Sequence, residues 1–218
     1  LESLPEPSRS SSHDSGTLLQ RQNAFGYTLE DLRMILEPMA ATGSEPTGSM
    51  GNDAPLAVLS NQYPLLFSYF KQLFAQVSNP PLDAIREELV TSLETTIGAE
   101  QNLFDETPQQ CRQLRLKSPI LTNIELEKIR NINVSKIKAI TLSTLFDPNH
   151  GHQSLQKAME KLNDEALKAA NNGYTILILS DRGVDKDHAP IPSLLATSGV
   201  HHHLLRQGSR TKVGLVVE

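Results

Sequence analysis

A chain of 218 residues with 38% hydrophobic side chains can bury one large core, and with 5% aromatics and no Trp that core must be aliphatic. A net charge of −5 leaves no basic stripe to neutralise phosphates and argues against nucleic acid as a partner. The single cysteine, Cys111, excludes an internal disulfide and an iron–sulfur cluster held by this chain, and fits a reducing compartment; no apolar run is long enough to span a bilayer, and no signal-peptide core opens the chain.

Residues Leu1 to Gly16 are rich in Ser, Pro and charge. They carry too little apolar surface to order themselves and read as a linker or strap. That entry, and a first residue that is Leu rather than Met, predict a preceding segment. Thr28 caps a predicted helix through Leu36, with Glu30 and Asp31 in its first turn and Pro38 closing it. Ala41 to Asp53 forms a long Gly/Ser/Thr-rich loop, a type that is often functional. Pro64 to Gln76 has Leu65, Leu66, Tyr69, Phe70, Leu73 and Phe74 at helical spacing. Pro81 to about Thr95 is predicted as an amphipathic helix with Ile85, Leu89 and Leu93 on one face. Thr122 or Asn123 caps a short helix ending near Arg130.

The last third reads as β-α-β-α-β over about 137–218. Ile137–Leu142 is a strand. Ser154 starts a helix to Asn171, capped by Gly173. Tyr174–Leu179 is a strand apolar on both faces. Pro192–Arg206 is a helix stopped by Gly208, and Val213–Val217 is the last strand. Right-handed crossovers make the three strands parallel. The fold class expected is α/β: an incomplete (β/α) barrel-like domain with parallel strands, plus a helical, long-looped N-terminal half. The chain stops just beyond a strand, so the reading expects it to continue.

Four constellations could carry chemistry. His201, His202 and His203 are consecutive, point about 100° apart on a helix and cannot converge on one metal; a helix flank with one His packed inward is the plain alternative. Asp187 and His188 precede them, at a spacing that fits no standard zinc pattern. Ser180-Asp181-Arg182-Gly183 lies at the carboxyl end of a strand, where barrels place catalytic residues; the structural alternative has Asp181 capping backbone amides and pairing with Arg182. Gly48-Ser49-Met50-Gly51 is glycine-rich but lacks both the Walker lysine and the GxGxxG spacing. Ser78-Asn79-Pro80-Pro81 fixes Asn79 in extended backbone, so its carbonyl and amide have a defined direction; a helix-to-helix connector is the alternative. Cys111 reads as a small, semi-buried apolar residue.

Several of these stretches carry a resemblance. GTLLQRQNAFGYTLEDLRMILEPMA, GSMGNDAPLAVLS, YFKQLFAQVSNPPLDAIREELVTSL, ILSDRG and VHHHLLRQGSRTKVGLVVE resemble the central domain of the glutamate synthase family, from about Gly16 to Glu218, the ferredoxin-dependent form being the preferred match. The resemblance implies residues 1–16 as an interdomain linker and 17–218 as a central domain. It implies a modular enzyme that makes glutamate from glutamine and 2-oxoglutarate with electrons from reduced ferredoxin. A glutaminase domain and an FMN and iron–sulfur domain are the implied partners, and the compartment is a cyanobacterial cytoplasm or a plastid stroma. It implies no catalytic residue and no cofactor in this segment. Met50, Ser78 and Asn79 match positions near the entrance of an ammonia channel, with Ser78 where the family often has Thr. Two readings compete: a self-contained (β/α)-barrel enzyme with a site near Asp181 and His188, and a non-catalytic interaction module that uses Leu1 to Asp53 as a strap.

Overall fold

A computed structural model describes residues 1–8, 15–44, 55–70, 81–134 and 136–218. The chain divides into two compact units, Ser12–Glu88 and the combination of Leu1–Ser11 with Leu89–Glu218.

In the first of these, α1 spans Leu18–Ala24. Thr28 and Asp31 then cap each other: the Thr28 N–H and hydroxyl donate to Asp31 Oδ2 at 2.8 and 2.7 Å, and the Asp31 N–H donates to Thr28 Oγ1 at 3.1 Å. The helix that follows is longer than the sequence predicts. Asp31–Leu36 is a π-helical turn, in which the Glu37 N–H reaches Leu32 O, and it runs on into α2, Glu37–Thr42. Pro38 does not end it, because it sits in the first turn of α2, where a missing N–H costs least. Gly43, at φ 67°, is the stop. The described part of the predicted Pro64–Gln76 helix is a 3-10 turn, Leu66–Tyr69. Among the described residues of this unit no side chain is buried.

The predicted helix over Pro81–Thr95 is corrected to four residues, α3, Glu87–Val90, at the boundary between the units. Asp83 is the reason. Its carboxylate accepts from the Ile85 N–H at 2.9 Å and holds Arg86 in an ion pair at 2.6 Å, closing a local turn that competes with a helix. Ile85 is 94% exposed, not part of an apolar face.

The second unit holds the core. The strands β1 (Thr95–Ile97) and β2 (Leu114–Leu116) form an antiparallel pair that sequence periodicity does not reveal. The helix α4 (Asn123–Arg130) has a full capping box between Thr122 and Glu125. A four-stranded sheet has the order β3-β4-β6-β8, from Asn133–Val134, Ile137–Ser143, Ile176–Ser180 and Gly214–Val217. β4, β6 and β8 are parallel and β3 is antiparallel to β4. The helices α5 (Ser154–Asn171) and α6 (Ser193–Arg206) are the crossovers, as expected, and β5 (Leu145–Phe146) pairs with β7 (Ala189–Pro190). The chain is therefore α/β. Its sheet is open and mixed rather than wholly parallel, and the described strands form no closed barrel.

Each face of the sheet buries its own cluster. Leu142, Leu177 and Leu179 pack with Leu162, Ala166, Ala196, Val200 and Leu204 of α5 and α6. Ile176, Ile178 and Val216 pack with Leu114, Leu116, Leu126 and Ile129. This alternation explains why β6 is buried at every position. Leu1 and Leu4 add to the second cluster, held by ion pairs of Glu2 with Lys117 at 2.5 Å and Glu6 with Lys128 at 2.6 Å. Among the described residues no helix is long and apolar enough to cross a membrane.

Candidate functional site

The three parallel strands end together, and their carboxyl ends gather one set of charged side chains. Glu218 follows β8 directly, and its side chain is 6% exposed. Its Oε2 accepts from Arg130 Nη2 at 2.7 Å and from the Ser180 hydroxyl at 2.7 Å, while Oε1 pairs with the Arg182 guanidinium. Arg130, the last residue of α4, also donates to Thr141 Oγ1 of β4 at 2.5 Å and to Glu127 Oε1 at 3.0 Å. Arg182 reaches Asn123 Oδ1 at 3.4 Å. The backbone binds the same ends: the Glu218 N–H donates to Leu179 O at 2.9 Å, and the Asp181 N–H to Glu218 O at 3.3 Å.

Two guanidiniums and two carboxylates thus line a cleft of about 330 Å³ with Thr141, Ser143 and Ser180. Burial raises the Glu218 carboxyl's pKa, but the hydrogen bonds from Ser180 and Arg130 and the two arginine charges outweigh it and hold it below its ordinary value. Asp181 is shifted the other way, by burial first and then by the Glu218 charge. Glu218 is already engaged by Arg130, Ser180 and Arg182, so it is poorly placed as a general base.

The other predicted residues do not assemble. His188 Nδ1 pairs with Asp185 at 2.8 Å on the surface rather than with Asp181, and Asp187 lies 3.8 Å from Lys186. His201 and His202 stack edge to face with centroids 5.0 Å apart. His201 Nδ1 accepts from Arg210 Nε at 2.9 Å. No group of three or more His, Cys, Asp or Glu able to hold a metal occurs among the described residues. Cys111 is exposed at the end of a 3-10 turn, not semi-buried. Met50, Ser78 and Asn79 lie outside the described residues. The sequence reading missed Glu218 and Arg130. The available signal was a carboxylate directly after the apolar run Gly214–Val217, at a strand end.

The cofactors implied for the family do not fit this cleft. A flavin phosphate there would find Arg130 and Arg182 already neutralised by Glu127 and Glu218, and one cysteine cannot ligate an iron–sulfur cluster.

Residues 20–218 match the family described as the glutamate synthase central domain. The chain belongs to that family. It is 44% identical over 214 residues to the NADPH glutamate synthase large chain of Bacillus subtilis, covering 98% of this chain and 14% of that protein. It is 46% identical over 208 residues to the chloroplastic ferredoxin-dependent glutamate synthase of Oryza sativa, covering 94% and 13%. It is 45% identical over 197 residues to the NADH glutamate synthase of Schizosaccharomyces pombe, covering 89% and 9%. The central domain therefore spans at most about a seventh of these relatives, and relatives named for three electron donors are similarly close.

Proposed function

We propose that this central domain connects the glutaminase and FMN domains of a glutamate synthase and helps form the passage for ammonia between them. The whole enzyme would make glutamate from glutamine and 2-oxoglutarate through 2-iminoglutarate, with reduced ferredoxin as electron donor, in a cyanobacterial cytoplasm or a plastid stroma. FMN and an iron–sulfur cluster, carried elsewhere in the enzyme, would supply the electrons. The observation that carries this reading is 44% identity over 214 residues to a named glutamate synthase. The engagement of Glu218 with Arg130, Ser180 and Arg182 supports a non-catalytic role for the strand ends, since its charge is already balanced.

Ammonia must cross as the neutral molecule, because ammonium is not a nucleophile and is costly to desolvate. Met50, Ser78 and Asn79 are the residues assigned to the passage. Asn79, set by the following Pro80, offers a carbonyl, Ser78 a hydroxyl and Met50 a flexible thioether, which together relay hydrogen bonds without a fixed charge. In the whole enzyme, Ser78→Val and Met50→Trp should let glutamine hydrolysis outrun glutamate formation. Coupling that stays near one to one in both variants overturns the channel assignment. Turnover with NADPH or NADH but not with reduced ferredoxin overturns the donor assignment alone.

A further inference from the structure

Leu1–Ser11 and Leu89–Glu218 belong to one compact unit, so the chain leaves that unit after Ser11 and re-enters it at Leu89. Both crossings are tied to the strand β2. Leu114 and Leu116 are buried, so by alternation Arg115 and Lys117 project from the other side of the strand. On the entry side, Glu2 pairs with Lys117 at 2.5 Å and Glu6 with Lys128 of α4 at 2.6 Å, while Leu1 and Leu4 pack on the cluster beneath. On the return side, Glu94 stands immediately before β1, and Arg115 Nη2 donates to its two carboxylate oxygens at 2.7 and 2.6 Å. Glu2, Glu94, Arg115 and Lys117 line one cleft of about 370 Å³, so the two sides meet there. The hydrogen bond between Lys117 and Glu2 lowers the pKa of the carboxyl and raises that of the ammonium, so each holds the other in its charged form. Lys117, Glu2 and Arg115 are largely exposed, and pairs of that kind contribute little singly and are screened by salt. The Lys128 side chain is only 11% exposed, and Glu6 supplies the counter-charge that so covered an ammonium requires.

We propose that Arg115, Lys117 and Lys128 form an ionic clasp that seats residues 1–8 beside Glu94 and so positions the Ser12–Glu88 segment for the coupling of glutamine hydrolysis to glutamate formation. They are positioning residues, since they act through the ends of that segment. The proposal rests on the reading that Met50, Ser78 and Asn79, which the segment carries, belong to the ammonia passage. A segment fixed at both ends has fewer arrangements than one fixed at a single end, because the second tie closes a loop. Opening the entry side leaves the segment held only where it returns, by Glu94 and Arg115.

Residue-resolved hydrogen exchange and the ratio of glutamine hydrolysed to glutamate formed, both measured on the whole enzyme, test this. The Leu4 amide reports the seat, since it donates to Leu1 O at 3.1 Å in the docked strap. Lys117→Glu puts a third carboxylate beside Glu2 and Glu94. Leu4 should then exchange on the order of fivefold faster, and hydrolysis should outrun glutamate formation. Lys128→Met, which keeps an apolar stem and removes the charge, should do the same. Adding Glu2→Lys to Lys117→Glu should restore both readouts, which loss of a merely structural Lys117 does not allow. Unchanged Leu4 exchange in both single variants overturns the proposal, as does a charge swap that restores neither readout. Faster exchange with coupling still near one to one, where Ser78→Val does uncouple, overturns the positioning role. If Lys117→Glu frees Leu4 and coupling survives in Ser78→Val and Met50→Trp as well, the passage assignment fails and the clasp stands.

Discussion

At Glu218 one buried carboxylate answers two guanidiniums and a hydroxyl from three different elements. Removing it leaves Arg130 and Arg182 close together without their shared counter-charge. Glu218→Ala should therefore cost about 3 kcal/mol in urea unfolding, at the low end for a broken buried pair because both arginines keep some solvent contact. The pH dependence follows from the direction of its shift. Its folded pKa lies below the ordinary carboxylate value of 4.5, so its stabilisation is complete above that pH and is lost as pH falls through the folded value. His201 acts in the same direction at higher pH. Burial first, then the charges of Arg210 and His202, lower its pKa from 6.5, so the unfolded chain takes up a proton that the folded one resists. Stability should fall as pH drops through about 6.5 and level off below the folded value, and His201→Phe should flatten that part of a melting-temperature profile. Glu218→Gln should also bring the Asp181 titration down toward its usual range in carbon-detected NMR, since one cause of its rise is the Glu218 charge. Of this network, Ser180, Asp181 and Arg182 were legible at their strand end, but their partners Arg130 and Glu218 were not. Arg130 and Glu218 are 88 positions apart, and only the parallel register of β4, β6 and β8 makes them neighbours.

The elements divide by how local their causes are. The helices α4, α5 and α6 and the three parallel strands were readable, because apolar periodicity, the Thr122 cap and the glycines after α5 and α6 all act within a few residues. Thr122→Ala should cost about 1 kcal/mol by removing one half of the capping box. The β1–β2 pair was not readable: each strand has three residues, and its partner lies across a long intervening segment. Its fit is nonetheless tight. A Cβ on Gly214 would overlap Ile97 Cγ1 and come within 3.1 Å of the Gly98 backbone nitrogen, which cannot rotate away. Gly214→Val should cost about 2–3 kcal/mol, read as a lower urea midpoint with an unchanged slope. The predicted helix at Pro81–Thr95 failed for an equally local reason, the Asp83 turn, which a count of apolar positions does not register. Met50, Ser78 and Asn79 lie outside the described residues, so the structure leaves that part of the site to the coupling assay.

At the scale of the molecule, the buried side chains are distributed unevenly. Every buried hydrophobic residue among those described falls between Leu114 and Val216. The described part of Ser12–Glu88 has none of its own. Limited trypsin digestion of the 218-residue chain should therefore cut at Arg21, Arg33 and Arg86 well before Lys157, Lys161 or Lys168 in α5. Equal rates at the two sets would show that both units are protected alike.

The charged cluster at the strand ends has one more consequence, which concerns heat. The hydration of ions becomes less favourable as temperature rises, so the desolvation that opposes a buried ion pair weakens while apolar burial gains little. Linked pairs such as Glu127–Arg130–Glu218–Arg182 then contribute relatively more near the melting point than in the cold. Counterparts from organisms that grow hot should keep these four charges, and in this chain the penalty of Glu218→Gln should be larger at high temperature than at low.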